Sequence, residues 1–335
     1  MERILLSLIV PVYGVEQYIA RCLDSVFSVN LSEDEYEVIC VDDCTKDNSN
    51  RIIEGFQKVH SNLRLIHHGE NKRQGGARNT GISQAKGRFL IFVDADDRLP
   101  KYDISEVLHY MEANQLELLL GAAECYGTNG SVKRWGNAPM AESAIMNGPQ
   151  VFTNEYIHKI AFGVVWMAIY KSELVRRVGP FVEKVSYEDT DWTLRCAYEA
   201  KRLQFRPIVI YHYMENPLST TGSRSVDSVI NRVKQGLRVW KWAQTTIENH
   251  DNVMLASEDY CTWNLSVLKS LRRYGYSERK KFYHTFTKEE MNVMKKWQGE
   301  YRYLALIKYP NLSQAIMFFV SPLFRMGEKL LKIRI

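Results

Sequence analysis

Within the first hundred residues, short apolar runs alternate with stretches patterned for helix, and this alternation does most to limit what the chain can fold into. Leu5–Val12 is almost continuously apolar and reads as a buried strand. Val15–Val29 follows, with Ile19, Cys22, Leu23 and Val26 at helical spacing. Tyr36–Val41 is a second strand that stops at Asp42 and Asp43, after which Asn48 can cap a helix bearing Ile52, Ile53 and Phe56 on one face. Leu63–His67 is a third strand, Ala77–Ala85 a short helix, and Phe89–Val93, entered from Gly87, a fourth strand. Strands and helices in such alternation make βαβ units. The expected fold is therefore α/β, a Rossmann-like, mostly parallel sheet flanked by helices.

Sheets of this kind gather ligands beyond the carboxyl ends of their strands. Two acid clusters fall at that edge, Asp42-Asp43 and Asp94-Ala95-Asp96-Asp97. On an extended backbone Asp94 and Asp96 point to one side, because side chains alternate with period two. Carboxylates that close repel unless a cation lies between them, and hard oxygen ligands on a loop suit Mg²⁺ or Mn²⁺ with substrate phosphates. The alternative is an acidic turn whose side chains bond their own backbone. A second, independent cluster at the same edge weighs against it. Gly69–Gly81 is rich in glycine and cation ahead of a helix, where backbone amides and Arg78 could meet phosphate oxygens, though a solvated basic loop would look the same. It matches neither the dinucleotide fingerprint nor the P-loop, which removes the usual support for hydride transfer and ATPase chemistry.

Beyond Asp97 the pattern loosens. It gives a helix at about Ile104–Asn114, a strand at about Glu117–Cys125, and a polar, Gly-rich excursion through Gly148. Gly163–Tyr170 is apolar and aromatic, as core would be, and Tyr187-Glu188-Asp189-Thr190-Asp191-Trp192 opens a helix that Asp189 could simply cap. Leu203–Tyr213 is strand-like. From Ser225 onward the chain reads as helix, over Val226–Asn249, Leu255–Tyr274, Lys288–Trp297 and an amphipathic stretch from about Leu312 to Ile333. The expected domains are residues 1–222 and a helical, basic C-terminal extension, residues 223–335.

Of the 335 residues, 45% are apolar and 25% charged, ordinary for a soluble globular protein. The net +5 hides an asymmetry, since Lys269–Ile335 carries 15 Lys and Arg against 5 Asp and Glu. Such a tail calls for an anionic partner. The six cysteines lack disulfide or zinc spacing and read as buried thiols of a reducing cytoplasm. Ile4–Val12 carries Pro11 and no small-residue cleavage site, so it reads as a strand and not a signal peptide. Ala315–Phe324 is broken by Ser321-Pro322 and falls short of the about 20 residues a membrane span needs.

The order of motifs is specific. Ser7-Leu8-Ile9-Val10-Pro11-Val12-Tyr13, Val41-Asp42-Asp43, Gly75-Gly76-Ala77-Arg78-Asn79-Thr80-Gly81, Val93-Asp94-Ala95-Asp96-Asp97, Trp166 and Glu188-Asp189 together resemble the family 2 glycosyltransferases of GT-A fold over roughly Leu5–Thr221. The resemblance implies a UDP-sugar donor, a divalent cation and inversion at the anomeric carbon. It places Pro11, Val12 and Tyr13 beside the nucleoside and Asp43, with Asp42, on the uracil edge or ribose. Arg78 would face the nucleotide, Asp94 with Ala95 the sugar-ribose region, and Asp96 the metal. Asp189 would be the catalytic base, Glu188 its neighbour that orients the acceptor or raises the pKa of the base, and Trp166 a platform for a sugar ring. His212 would be a further metal or diphosphate ligand, with a core or surface histidine as the alternative. The family commonly has Gly-Ser after the acid pair and Asn after the tyrosine, where this chain has Cys44-Thr45 and Gly14, a change that bears on the turn presenting Asp43.

The expected activity is transfer of a sugar to a saccharide acceptor, free or lipid-linked, in the synthesis of bacterial cell-surface polysaccharide. Nucleic acid is not among the expected partners. For the tail two readings stand. Ala315, Ile316, Phe318, Phe319, Leu323, Phe324, Leu330 and Leu331 with Arg325, Lys329, Lys332 and Arg334 suit an interfacial helix on anionic lipid, at the inner face of the plasma membrane, or a helix packed on the protein with its charges in water. Two other activities compete. A sugar nucleotidyltransferase would want a Gly-rich triphosphate loop that Pro11–Gln17 does not offer, and a non-catalytic saccharide-binding subunit would not need Asp94, Asp96 and Asp189 intact.

Overall fold

A computed structural model describes residues 4–135, 141–152, 163–216, 225–247 and 274–297. The chain divides into two compact units, Met1–Gly222 and Ser223–Ile335.

The first unit is built on an eight-stranded sheet. Its strands are β1 (Leu6–Val12), β2 (Tyr36–Asp42), β3 (Leu63–His67), β4 (Phe89–Phe92), β5 (Leu118–Tyr126), β6 (Val132–Arg134), β7 (Ala168–Lys171) and β8 (Leu203–Met214), ordered β3-β2-β1-β4-β7-β5-β6 with β8 on β5. β3, β2, β1 and β4 run parallel, β8 runs parallel to β5, and β7 and β6 are antiparallel insertions. Every residue of β1, β2 and β4 is buried, which is why their sequences are continuous apolar runs and not alternating ones. The chain steps outward from β1 to β3 and then returns to the other side of β1 with β4. The carboxyl ends of β1 and β4 thus flank the point where strand order reverses, the crevice where such sheets bind ligands.

Helices α1 (Ile19–Val26), α2 (Ser49–Gln57), α3 (Arg73–Gln84) and α4 (Ile104–Ala113) connect these strands, followed by α5 (Gly148–Val151), α6 (Ser172–Val178) and α7 (Asp189–Glu199). α1 is shorter than its apolar spacing predicts, because the backbone only turns helical at Ile19. α3 begins four residues before its expected start and takes Gly75 and Gly76 into the helix, where a loop was expected. Tertiary packing overrides the glycine penalty: a Cβ on Gly75 would sit 2.4 Å from the Val182 carbonyl, so only glycine lets α3 close on that segment.

α7 is anchored by Trp192, fully buried, stacked on Phe181 at 4.1 Å between ring centres and edge-on to Phe92 of β4 at 5.6 Å. Its indole N–H donates to the Gly179 carbonyl at 2.9 Å, so the one polar atom of a large core side chain is satisfied. This packing fixes the head of α7 against the strand that ends in Asp94.

In the second unit, α8 (Val226–Thr246), α9 (Tyr276–Thr285) and α10 (Lys288–Trp297) are described. Val226, Val229, Ile230, Val233 and Leu237 repeat at three and four residues and pack with Phe282, Phe286, Met291 and Met294. The helix expected over Leu255–Tyr274 and the amphipathic tail lie outside the described residues. No described helix is long and apolar enough to cross a membrane.

Candidate active site

The loops after β1 and β2 are laced together. Thr45 Oγ1 accepts from the Gly14 N–H at 2.8 Å, Asp47 Oδ2 from the Glu16 N–H at 2.9 Å, and Glu16 Oε2 from the Asn48 N–H at 2.9 Å. Cys44 adopts φ +63°, the left-handed conformation that favours glycine, so the turn keeps its shape without that residue. Thr45 supplies the hydroxyl, and Gly14 at φ +67° takes the left-handed position that Asn also tolerates. Of the three residues expected beside a nucleoside, Pro11 and Val12 are buried in β1, and Tyr13 alone presents surface, at 57% exposure.

The two acids at the end of β2, Asp42 and the following Asp43, do different work. Asp42 Oδ1 accepts from the Thr45 N–H at 2.7 Å, and Oδ2 accepts from Asn50 at 2.7 Å and faces His67 Nδ1 at 2.9 Å. Burial pushes its pKa up, but these bonds outweigh burial and hold it below the usual carboxylate value. Both oxygens are spent on the turn, so Asp42 shapes the loop. Asp43 is 2% exposed, and among the described residues its hydrogen bonds fall on Oδ1, from the Lys72 N–H at 2.7 Å and with His68 Nδ1 at 2.8 Å.

The acid turn after β4 is held from β8, a contribution the sequence did not reveal. Tyr211 donates its hydroxyl to Asp97 Oδ2 at 2.8 Å and accepts from the Asp94 N–H at 3.0 Å, while the Met214 N–H donates to Asp97 Oδ1 at 2.7 Å. Asp97 is therefore structural. Asn216 donates to Asp96 Oδ2 at 2.9 Å, and Arg21 from α1 donates to the Asp96 carbonyl at 2.7 Å. Burial, and then the charge of Asp94, raise the pKa of Asp96. Ala95 is buried between the two acids.

Arg78 departs from its expected place against the nucleotide. At 1% exposure, its guanidinium donates to Asp94 Oδ1 at 2.9 Å and to Glu188 Oε1 at 2.5 Å, a buried brace between the acid turn and the head of α7. Burial works against its charge, and Asp94, Glu188 and Asp189 more than offset it, so its pKa moves up. Asp189 is the first residue of α7, beside Glu188, and burial followed by the charge of Glu188 pushes its pKa up to about 8 against the opposing pull of Arg78. Glu188 is buried as well, and that burial shifts it upward despite Arg78. Glu188 thus meets Arg78 and raises its neighbour, and has little surface left for an acceptor.

Two further expectations meet a different placement. Trp166 is 4% exposed, stacked on Tyr211 at 4.4 Å between ring centres and edge-on to Trp135 at 5.1 Å, so it supports the tyrosine that holds the acid turn and offers no open face for a sugar here. His212 lies against Tyr126, at 4.7 Å between rings, with Nε2 3.5 Å from Glu124 Oε2. Alternation along β8 turns it away from the face carrying Tyr211 and Tyr213. Among the described residues its ring meets Tyr126 and Glu124, and its backbone pairs with Arg98.

Whether the site suits a divalent cation can be judged from its donors. No group of three His, Cys, Asp or Glu that could hold a metal occurs among the described residues. One or two carboxylates completed by substrate phosphates and water is the way Mg²⁺ is commonly held at nucleotide sites, and Mn²⁺ shares its hard oxygen ligands. Asp96, whose pKa is raised by burial and then by the charge of Asp94, and Asp94, with one oxygen given to Arg78, fit that description.

Comparison with known proteins bears on the family and the fold. The chain matches the model of Glycosyl transferase family 2 over residues 7–179. It is 32% identical over 221 residues to the uncharacterized glycosyltransferase EpsJ of Bacillus subtilis (strain 168), covering 65% of this chain and 63% of that protein. It is 26% identical over 217 residues to the poly(ribitol-phosphate) beta-glucosyltransferase of Bacillus spizizenii, covering 62% of this chain and 32% of that one. The chain therefore spans less than two thirds of the length of these relatives. The crystal structure of residues 1–349 of Staphylococcus aureus TarS in complex with UDP-GlcNAc superposes with a TM-score of 0.62 at 20% identity, over 92% of this chain and 88% of that one. The mostly parallel sheet flanked by helices is thus the GT-A fold, and the chain belongs to glycosyl transferase family 2.

Proposed function

We propose that this chain is an inverting, metal-dependent glycosyltransferase that moves a sugar from a UDP-sugar to a saccharide acceptor. The observation that carries the reading is the Arg78 brace, which joins Asp94 at the carboxyl end of β4 to Glu188 beside Asp189 at the head of α7. A group for the donor and a group for the acceptor are thereby fixed in one network.

On this reading Tyr13 stacks on the base and Asp43 accepts a hydrogen bond from the nucleoside through Oδ2. Asp94 and Asp96 would hold the divalent cation, which when bound neutralises charge on the diphosphate. Asp189 takes the proton of the acceptor hydroxyl while that oxygen forms a bond to the anomeric carbon. The bond from that carbon to the UDP oxygen breaks, its electron pair leaves with UDP, and attack from the opposite face inverts the centre. A carboxylate with a pKa of about 8 is a stronger proton acceptor than an ordinary Asp, which suits an alcohol as its partner.

The acceptor belongs to a cell-surface polysaccharide and is carried on a lipid, with the chain working in the cytoplasm at the inner face of the plasma membrane. The poly(ribitol-phosphate) acceptor in the name of the Bacillus spizizenii relative and the basic tail of Lys269–Ile335 support this extension. A panel of UDP-sugars with Mn²⁺ or Mg²⁺, read as UDP release by the native chain and by Asp96→Ala, tests the reaction. Release by the native chain alone is expected, and equal release by both proteins removes the metal role of Asp96.

A further inference from the structure

His68 lies in the turn after β3 with its side chain 5% exposed, and both ring nitrogens are engaged: Nδ1 with Asp43 Oδ1 at 2.8 Å and Nε2 with Thr80 Oγ1 of α3 at 2.8 Å. Asp43 Oδ1 accepts from Nδ1, and the Thr80 hydroxyl, which can donate or accept, meets Nε2. The result is a chain of contacts from Thr80 through the imidazole to Asp43. The rest of the turn closes around the same acid. The His68 N–H donates to the Asp42 carbonyl at 2.9 Å, Asn71 Nδ2 donates to the Asp43 carbonyl at 3.0 Å, and the Lys72 N–H shares Oδ1 at 2.7 Å. Two donors thus converge on Oδ1, while Oδ2 makes no hydrogen bond to any described residue.

A histidine that only filled space would not need this asymmetry. Pinning one oxygen of a buried carboxylate from two directions leaves the other with a fixed direction and no hydrogen bond from a described residue. A fixed, acceptor-only atom discriminates between bases. Uracil presents an N–H at N3 and can donate to it, whereas cytosine presents a lone pair at N3 and repels it.

We infer that His68, oriented by Thr80, is a positioning residue of the nucleoside site: it fixes the Asp43 carboxylate with Oδ2 toward the base and so sets a preference for uracil over cytosine. This rests on the reading of Asp43 as the nucleoside contact. His68 touches neither donor nor acceptor and acts through Asp43.

The test compares UDP and CDP affinity by calorimetry, together with donor KM and kcat, for the native chain, His68→Phe, His68→Asn, Thr80→Val and Asp43→Ala, each checked for folding by circular dichroism and melting. Losing one charge-assisted hydrogen bond is expected to weaken UDP binding by about tenfold or more in His68→Phe and to collapse the UDP-to-CDP ratio. That loss falls on donor KM, with kcat at saturating donor kept. Asn carries an amide N–H near the place of Nδ1, so His68→Asn restores the ratio to within about threefold. Thr80→Val is expected to lower the ratio by a smaller factor, and it carries the test alone if His68→Phe does not fold. A folded His68→Phe or Thr80→Val with the native ratio overturns the inference, as does an Asn variant no better than Phe. If Asp43→Ala itself keeps native UDP affinity and ratio, the nucleoside reading fails first and the role of His68 falls with it.

Discussion

Glu188→Gln is the sharpest perturbation of the proposed base. Glu188 is the second cause, after burial, of the raised Asp189 pKa of about 8, and the exchange removes its charge while keeping an oxygen for Arg78. In the native chain the base must be ionised to work, so kcat/KM for the acceptor rises with pH and levels off above about 8. At pH 7 roughly a tenth of the molecules are competent. Two carboxylates about 6 Å apart at an effective dielectric of about 20 interact by about 2.8 kcal/mol, equal to about 2 pKa units. Arg78 already offsets part of that repulsion, so a downward shift of about one unit is expected in the variant. At pH 6.5 the ionised fraction would then rise from about 3% to about 24%, roughly eightfold. Initial rates of UDP release from pH 5.5 to 9.5, at fixed metal and subsaturating acceptor, read this directly. Because the two acids titrate together, the acid limb belongs to the pair and its displacement is the informative quantity. A native limb below pH 6, or a variant limb that stays put or moves up, refutes the role given to Glu188 and with it the assignment of Asp189 as the base.

Four other outcomes follow from named contacts. Because the Asp189 pKa is raised in the folded chain, its stability contribution is full below the unfolded value of 3.8 and lost as pH rises through about 8. Asp189→Asn should therefore abolish turnover yet raise the unfolding free energy in urea by on the order of 2 kcal/mol, with a larger gain at pH 9 than at pH 5.5. Tyr211→Phe keeps the stack on Trp166 but strips a hydroxyl from Asp97 and from the Asp94 N–H; a loss of about 1–2 kcal/mol in urea unfolding and about tenfold weaker UDP binding is expected. Trp192→Ala empties the packing between α7 and β4 and should cost about 3–5 kcal/mol by the same measure. Cys44→Gly should be neutral or stabilising and Cys44→Val destabilising by about 1–2 kcal/mol, since a β-branched side chain is worst placed at φ +63°.

The parts of this site that were legible in the sequence are those set by short-range pattern. Apolar runs that stop at Asp42-Asp43 and at Asp94–Asp96 place both acid clusters at one sheet edge, because such runs are buried strands and strands that alternate with helices run parallel and end on the same side. What the pattern could not give is the partner of each acid. Asp43 meets His68 twenty-five residues on, Arg78 meets Glu188 across 110 residues, and Tyr211 reaches Asp97 across 114. Each of these is fixed by tertiary packing and leaves no local trace beyond a residue of the right type. Trp166 shows the same limit, since an aromatic in an apolar stretch reads alike whether it faces a sugar or, as here, the back of Tyr211. Gly75-Gly76 misled in the other direction, by marking a loop where close packing against Val182 needs a helix without side chains.

The central claim is that Asp43, Asp94, Asp96 and Asp189 serve one nucleotide-sugar cleft, with donor and acceptor groups separable within it. Calorimetric titration of UDP in the presence of Mn²⁺ into the native chain, Asp96→Ala and Asp189→Asn tests it most directly. Native-like binding by Asp189→Asn together with loss of the Mn²⁺-dependent binding in Asp96→Ala is the predicted result. Equal affinity in all three proteins, or a native chain that takes up no UDP, would contradict it.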